Sequence, residues 1–273
     1  LGDVKETVLE KAPEDGEDVV LTVDITLQQY LYQSMELDEG CAVAMDPTSG
    51  AVLALVSTPA YDPNDFVMGY TYGAWEFITS DERQPLYNRW LGSWVPGSSF
   101  KPVTAALALT QGTLDPEEDV PNEGLSWQPD SSWGSYYVTT LEDYAVKNLE
   151  NAFIHSDNIY FAKAAVGMGA EGFGSGLDSL GFGESLDFDF ELTASSYGTE
   201  GEITSDMELA DSGYGQGKIL VNPIHLSSMY TALVNGGNMV RPYLLEGQET
   251  SYWKEGVFTA DAAETVLYDL YRV

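Results

Sequence analysis

Residues 41–45 and 51–56 are two short apolar runs flanking the pentapeptide Asp46-Pro47-Thr48-Ser49-Gly50. Proline presets one turn angle and glycine supplies a left-handed one, so the pentapeptide reads as a turn and the runs as paired strands. Their residues are small and apolar, which predicts strands covered on both faces. This hairpin constrains the fold because the pattern after it is mostly helical. The stretch 98–111 puts Val103, Ala106, Leu107 and Thr110 on one face, tolerates Pro102 in its first turn, and meets Gly112 at its end. Helical patterns also cover 141–154, 158–166 (stopped by Gly167 and Gly169), 223–233 (stopped by Asn235-Gly236-Gly237) and 259–271. Nearer the N-terminus, Thr26 is placed to cap a helix to Glu36, with Leu27, Tyr30, Leu31 and Ser34 on one face. Residues 58–97 and 113–140 lack periodicity and read as irregular, aromatic segments.

Charge excludes several roles. The 273 residues carry 11 basic and 44 acidic side chains, a net charge of −33. Phosphate recognition needs clustered Lys and Arg, so nucleic acid and an anionic membrane surface are excluded as main partners. The chain is 44% hydrophobic and 12% aromatic, which separates it from an acidic disordered polypeptide. One cysteine, Cys41, forms no intramolecular disulfide and no multi-cysteine zinc site; it reads as a small buried hydrophobe. No apolar run reaches the ~20 residues of a membrane helix, and the polar, acidic start is not a signal peptide.

Two motifs carry chemistry. Ser98 and Lys101 lie three apart at the head of a helix, so their side chains share a face, and Pro96-Gly97 puts Ser98 at the helix N-terminus. A neutral amine there can take the hydroxyl proton and make Ser98 a nucleophile. The spacing alone is weakly specific: Ser98 is equally a helix cap, and a second match, Ser251 to Lys254, falls in a polar connector and reads as coincidence. Ser156-Asp157-Asn158 lies between two helical stretches, where capping is again the plain reading.

Together and in this order the motifs are far more specific, because Ser-x-x-Lys followed by Ser-Asp-Asn marks penicillin-recognising serine acyl enzymes. Flanking residues sharpen the match. Pro96-Gly97-Ser98-Ser99-Phe100-Lys101-Pro102 resembles the nucleophile segment of penicillin-binding protein transpeptidases. Ala44 to Ala54 resembles their first hairpin, and Leu21-Thr22-Val23-Asp24 with Leu27-Gln28 its lead-in. Gly213-Tyr214-Gly215-Gln216-Gly217, Val221-Asn222-Pro223 and Ala232 to Gly237 resemble the stretch beyond the Ser-x-Asn helix. The likeness runs from about residue 19 onward and is nearest the high-molecular-weight class B members.

The resemblance implies an α+β fold of the β-lactamase/transpeptidase type: an antiparallel sheet flanked by helices, plus a mostly helical subdomain. It implies that Ser98 is acylated, Lys101 is its general base, Ser156 relays the proton to the leaving amine, and Asn158 holds the donor amide and fixes Lys101. The Ser98 N–H would supply half of an oxyanion hole. The implied substrates are peptidoglycan stem peptides ending in D-Ala-D-Ala, with β-lactams as covalent inhibitors. Other cell-wall synthesis proteins are candidate partners, and no metal or cofactor is implied. The family's third motif, Lys-Thr/Ser-Gly, does not occur in the 273 residues; its place lies past a helix like 259–271. The chain therefore reads as a fragment: residues 1–18 a linker from a preceding region, residues 19–273 a transpeptidase domain cut before the third motif and its C-terminal strands. The parent is expected to be membrane-anchored, with this domain on the extracytoplasmic face of the bacterial membrane. Two alternatives stay open: a serine β-lactamase, and a non-catalytic β-lactam or peptidoglycan sensor or scaffold. His155 and His225 read as packing or surface residues.

Overall fold

The computed structural model describes residues 16–35, 38–69, 71–121 and 124–273. The expected linker falls mainly on residues 1–15, outside the described residues. Helix α1 (Ile25–Met35) precedes strands β1 (Gly40–Met45) and β2 (Val52–Thr58), which pair antiparallel with Ala44 opposite Ala54 and a bulge after Ala44. The turn forms as the sequence dictates. Asp46 accepts hydrogen bonds from the N–H groups of Thr48 and Ser49, at 2.9 and 2.8 Å. Gly50 closes the turn at φ +87°, where a Cβ would lie 2.2 Å from the carbonyl oxygen of Arg241.

The outer edge of β2 is covered by the lead-in. The Gln28 side-chain amide accepts from Leu55 N–H (2.8 Å) and donates to Leu55 C=O (2.6 Å), standing in for a strand neighbour. Asp24 N–H donates to Leu53 C=O at 2.9 Å, and Thr22 Oγ1 to Val52 C=O at 2.6 Å. Asp24, not Thr26, caps α1, accepting from the N–H groups of Thr26 and Leu27. Only β2 shows one fully covered face; its residues alternate buried and half-buried, while β1 is half-buried throughout, Cys41 included. The expected coverage on both faces is therefore not met.

The rest is helical with two minor strand pairs. Short helices α2 (Asn64–Met68) and α3 (Tyr72–Ser80) occupy the stretch expected to be irregular. Helix α4 (Lys101–Thr110) is the molecular axis: every residue from Lys101 to Ala108 is buried. Its Ala105, Ala106 and Ala108 admit close neighbours, and Phe100, Leu107, Phe161, Phe173 and Leu177 close the main core around it. Strands β3 (Ser126–Trp127) and β4 (Val138–Thr139) form a two-residue ladder packed with Trp133. Helix α5 (Leu149–Ile154) is much shorter than the expected 141–154, because Asn148 caps it by accepting from Asn151 N–H. The run α6 (Asn158–Ser179) is two helices joined across a kink: the first passes Gly167 and stops at Gly169, which is non-helical at φ +72° and ψ 164°, close to the expected stop, and a second helix continues beyond it.

Helix α7 (Asp206–Gly213) packs on α6, and α8 (Pro223–Val234) lies against β1. Strands β5 (Met239–Val240) and β6 (Tyr252–Lys254) pair, and α9 (Ala260–Leu270) packs on α4 and α8. The sheets among the described residues are three separate two-stranded pairs, so the fold is α+β with a small β share. His225 is a core residue, as expected. Its Nε2 faces Leu180 C=O at 2.9 Å, so that nitrogen carries the proton, while Nδ1 faces Ser195 Oγ at 2.7 Å. Burial pushes the imidazole down to about 4 and keeps it neutral.

Candidate active site

Pro96 and Gly97 turn the chain into a 3-10 segment, residues 97–100, that runs directly into α4. Gly97 takes φ +57°, and its N–H donates to Gly215 C=O at 2.9 Å. Gly215, at φ +75°, lets the two backbones meet: a Cβ there would lie 2.1 Å from the Gly97 oxygen. Ser98 is thereby held exposed at the surface while Lys101, one turn on, is only 2% exposed.

Lys101 Nζ meets three acceptors: Ser98 Oγ at 3.0 Å, Ser156 Oγ at 2.9 Å and Ser156 C=O at 2.6 Å. The two hydroxyls are 3.2 Å apart, with Ser156 Oγ donating to Ser98 Oγ. Three acceptors match the three protons of an ammonium. Burial pushes Lys101 down to about 8, against Asp157, which raises it. A lysine tuned this way presents a neutral amine to Ser98 near physiological pH.

Ser156 sits in the junction between α5 and α6 at φ +48°, a left-handed angle for a residue with a side chain. The junction is fixed by Ser156 N–H donating to Phe153 C=O (3.0 Å) and Asp157 N–H donating to Ala152 C=O (2.9 Å). That angle turns both oxygens of Ser156 onto Lys101.

Three of the four residues expected in the site therefore converge directly. Asn158 stands beside them, with a different bond from the one expected. Its Nδ2 donates to Thr139 C=O on β4 at 3.0 Å, tying the β3–β4 ladder to α6. The contact with Lys101 expected of Asn158 is made by the Ser156 carbonyl instead. The second Ser-x-x-Lys forms no such cluster: Lys254 is paired with Glu184 at 2.6 Å, and Ser251 Oγ accepts from Arg241 Nε at 3.2 Å.

Two supports of the site were not assigned from the sequence. One is Asp211, which accepts hydrogen bonds from the hydroxyls of Tyr136 and Tyr214 and so fixes the loop carrying Gly215. Burial raises both phenols, Tyr136 to about 12, and keeps them as donors. The other is Tyr144, which donates to Asp157 at 2.8 Å. The available signal for the first was Gly213-Tyr214-Gly215-Gln216-Gly217, whose dense glycines mark close backbone approach.

A hydroxyl at a helix start, a buried amine touching it, and a second hydroxyl bridging both are the groups that serine acyl transfer requires. The family model for the penicillin binding protein transpeptidase domain matches residues 40–273, and the chain belongs to that family. It is 41% identical over 264 residues to penicillin-binding protein 3 of Bacillus subtilis, covering 96% of this chain and 39% of that protein. It is 30% identical over 253 residues to peptidoglycan D,D-transpeptidase MrdA of Escherichia coli, covering 89% of this chain and 40% of that protein. The crystal structure of Pseudomonas aeruginosa PBP2 in complex with WCK 5153 superposes with a TM-score of 0.82 at 28% identity, covering 94% of this chain and 62% of that one. The chain thus spans about two-fifths of the length of these curated relatives.

Proposed function

We propose that this chain is the acyl-transfer domain of a peptidoglycan D,D-transpeptidase, and that Ser98, Lys101, Ser156 and Asn158 are its working residues. The observation that carries the reading is Lys101 Nζ bridging Ser98 Oγ and Ser156 Oγ from a buried position. The neutral amine takes the Ser98 proton as Oγ attacks the penultimate carbonyl of a stem peptide. The Ser98 N–H, in the first turn where helix donors lack internal partners, faces the developing oxyanion. Collapse releases D-Ala, protonated through Ser156, and leaves an ester on Ser98. The amine of a neighbouring stem attacks that ester and gives its proton to Lys101, which passes it to the departing Ser98 Oγ, so the cross-link forms and both the Ser98 hydroxyl and the neutral Lys101 amine are restored. A β-lactam acylates the same oxygen by opening its ring.

Asn158, on the rim beside Ser156, orients the donor amide. The work of the domain is then extracytoplasmic, where peptidoglycan lies. No helix among the described residues is long and apolar enough to cross a membrane. A β-lactamase would instead pass the ester to water, an outcome that an added amine acceptor separates from transfer.

The test is release of D-Ala from a D-Ala-D-Ala peptide, with and without an added amine acceptor. Amine-dependent product that disappears in Ser98→Ala is the expected result. Hydrolysis unaffected by the amine, or product surviving in Ser98→Ala, overturns the reading.

A further inference from the structure

The acid between the two Ser156-side motif residues has no role in the chemistry above, yet it is the most buried charged group near the site. Asp157 is 0% exposed. Its Oδ1 accepts from the N–H groups of Ile159 (2.8 Å) and Tyr160 (3.4 Å), capping α6. Its Oδ2 accepts from Tyr144 Oη at 2.8 Å. Both carboxylate oxygens are therefore committed, and every donor is part of a fixed element. Tyr144 is itself clamped: its ring stacks on His155 at 4.2 Å and 14°, and Lys147 Nζ lies 4.1 Å from the ring centroid on the 140–148 loop. His155 in turn faces Glu142 at 2.8 Å, and Lys147 faces Asp143 at 2.7 Å.

We propose that Asp157 and Tyr144 form a positioning pair for the acyl-transfer centre: Tyr144 fixes Asp157, and Asp157 pins the left-handed Ser156 turn and sets its carboxylate beside Lys101. The pair touches no reacting atom. It acts through Lys101, whose other neighbours are uncharged: the Ser98 and Ser156 oxygens and the Phe161 ring at 5.8 Å. Without a facing anion, desolvation acts on the Lys101 amine unopposed and lowers its midpoint further. With the anion, the amine is held near 8. Lys163, further along α6, is the other cation that feels Asp157. The Tyr144 hydroxyl, pushed up by burial and then by Asp157, stays a donor throughout the working range. Its dipole offsets part of the carboxylate field that Lys101 would otherwise feel.

The two members therefore act on Lys101 with opposite signs. Asp157→Asn removes the charge, so the Lys101 midpoint falls, by about one pH unit for a facing charge. Tyr144→Phe keeps the charge but strips a compensating donor, so the midpoint rises by a smaller amount. Mere structural damage moves both variants the same way, or moves neither midpoint and only lowers rates.

This inference rests on the acyl-transfer reading for its purpose, but its first readout does not need turnover. The Lys101 titration is followed by NMR on protein carrying 13C at lysine Cε, the Lys101 signal being assigned by its loss in Lys101→Met. The second readout is the pH dependence of benzylpenicillin acylation, followed by intact mass. Opposite midpoint shifts in the two variants, reproduced in the acylation profile, are the expected result. Shifts by NMR with no acylation of the wild type would sink the acyl-transfer reading and leave the pair standing. Unchanged midpoints in both variants, or shifts of the same sign, overturn the pair. If Asp157→Asn does not fold, Tyr144→Phe decides alone, and an unmoved or lowered midpoint overturns it.

Discussion

Lys101 concentrates the chemistry because one side chain is both buried and fully hydrogen-bonded. Its three contacts use all three ammonium protons, yet desolvation brings its proton affinity to about 8. In the proposed mechanism the working form is the neutral amine, which is half the population at that pH and about a tenth one unit below. Acylation of Ser98 should therefore climb roughly tenfold between pH 7 and pH 9 and then level. A rate flat across this range would remove Lys101 as the base. The residue pair itself was legible in the sequence, because i and i+3 on a helix face each other whatever the tertiary context. The bond of Asn158 was not, because a carboxamide reaches several acceptors and only the folded β3–β4 ladder puts Thr139 C=O beside it.

At the scale of elements, the Ser98 turn is held from behind by a loop rather than by its own helix. Gly97 N–H to Gly215 C=O is the bond that sets it, and Asp211 with its two tyrosines holds the loop. Gly215→Ala meets both a left-handed angle and a Cβ 2.1 Å from the Gly97 oxygen. The expected cost is about 1–3 kcal/mol of stability, together with at least a tenfold loss in Ser98 acylation as the turn is pushed off geometry. Thermal denaturation and acylation rate check this; a wild-type rate in Gly215→Ala would show that the loop does not position Ser98.

The same scale shows where sequence reading stopped. The hairpin, α4, α8 and α9 follow from short-range pattern, since turn residues and apolar spacing are local. Residues 141–148 carry a helical pattern yet form a loop, because Tyr144 finds Asp157 and Lys147 N–H finds Asp119 Oδ1 (2.8 Å), bonds that no local window contains. The run α6 passes Gly167 but breaks at Gly169, and it resumes as a second helix because residues on both sides of the kink are buried in the main core. Tertiary burial there outweighs the glycine penalty of about 1 kcal/mol.

For the whole molecule, charge and site are separable. A net charge of −33 repels itself, while the proposed acyl-transfer centre holds one buried amine, Lys101, and one buried acid, Asp157. The Debye length shrinks from about 30 Å at 0.01 M to about 8 Å at 0.15 M salt. The melting temperature should accordingly rise by several degrees over that range, with little change in the Lys101 midpoint. A melting temperature that is flat or falling with salt would mean that the acidic groups do not strain the fold. The cluster of Ser98, Lys101 and Ser156 was legible from the sequence as two motifs, because their order along the chain is specific in combination. Their supports were not, since Gly215, Asp211 and Tyr144 meet the site only after α4, α6 and α7 have packed.

The most direct measurement is peptide mapping by mass spectrometry after incubation with benzylpenicillin. The account predicts one drug mass, on the peptide containing Ser98, persisting for minutes or longer and lost in Ser98→Ala. An adduct elsewhere, or none on a chain shown to be folded by circular dichroism, would contradict it.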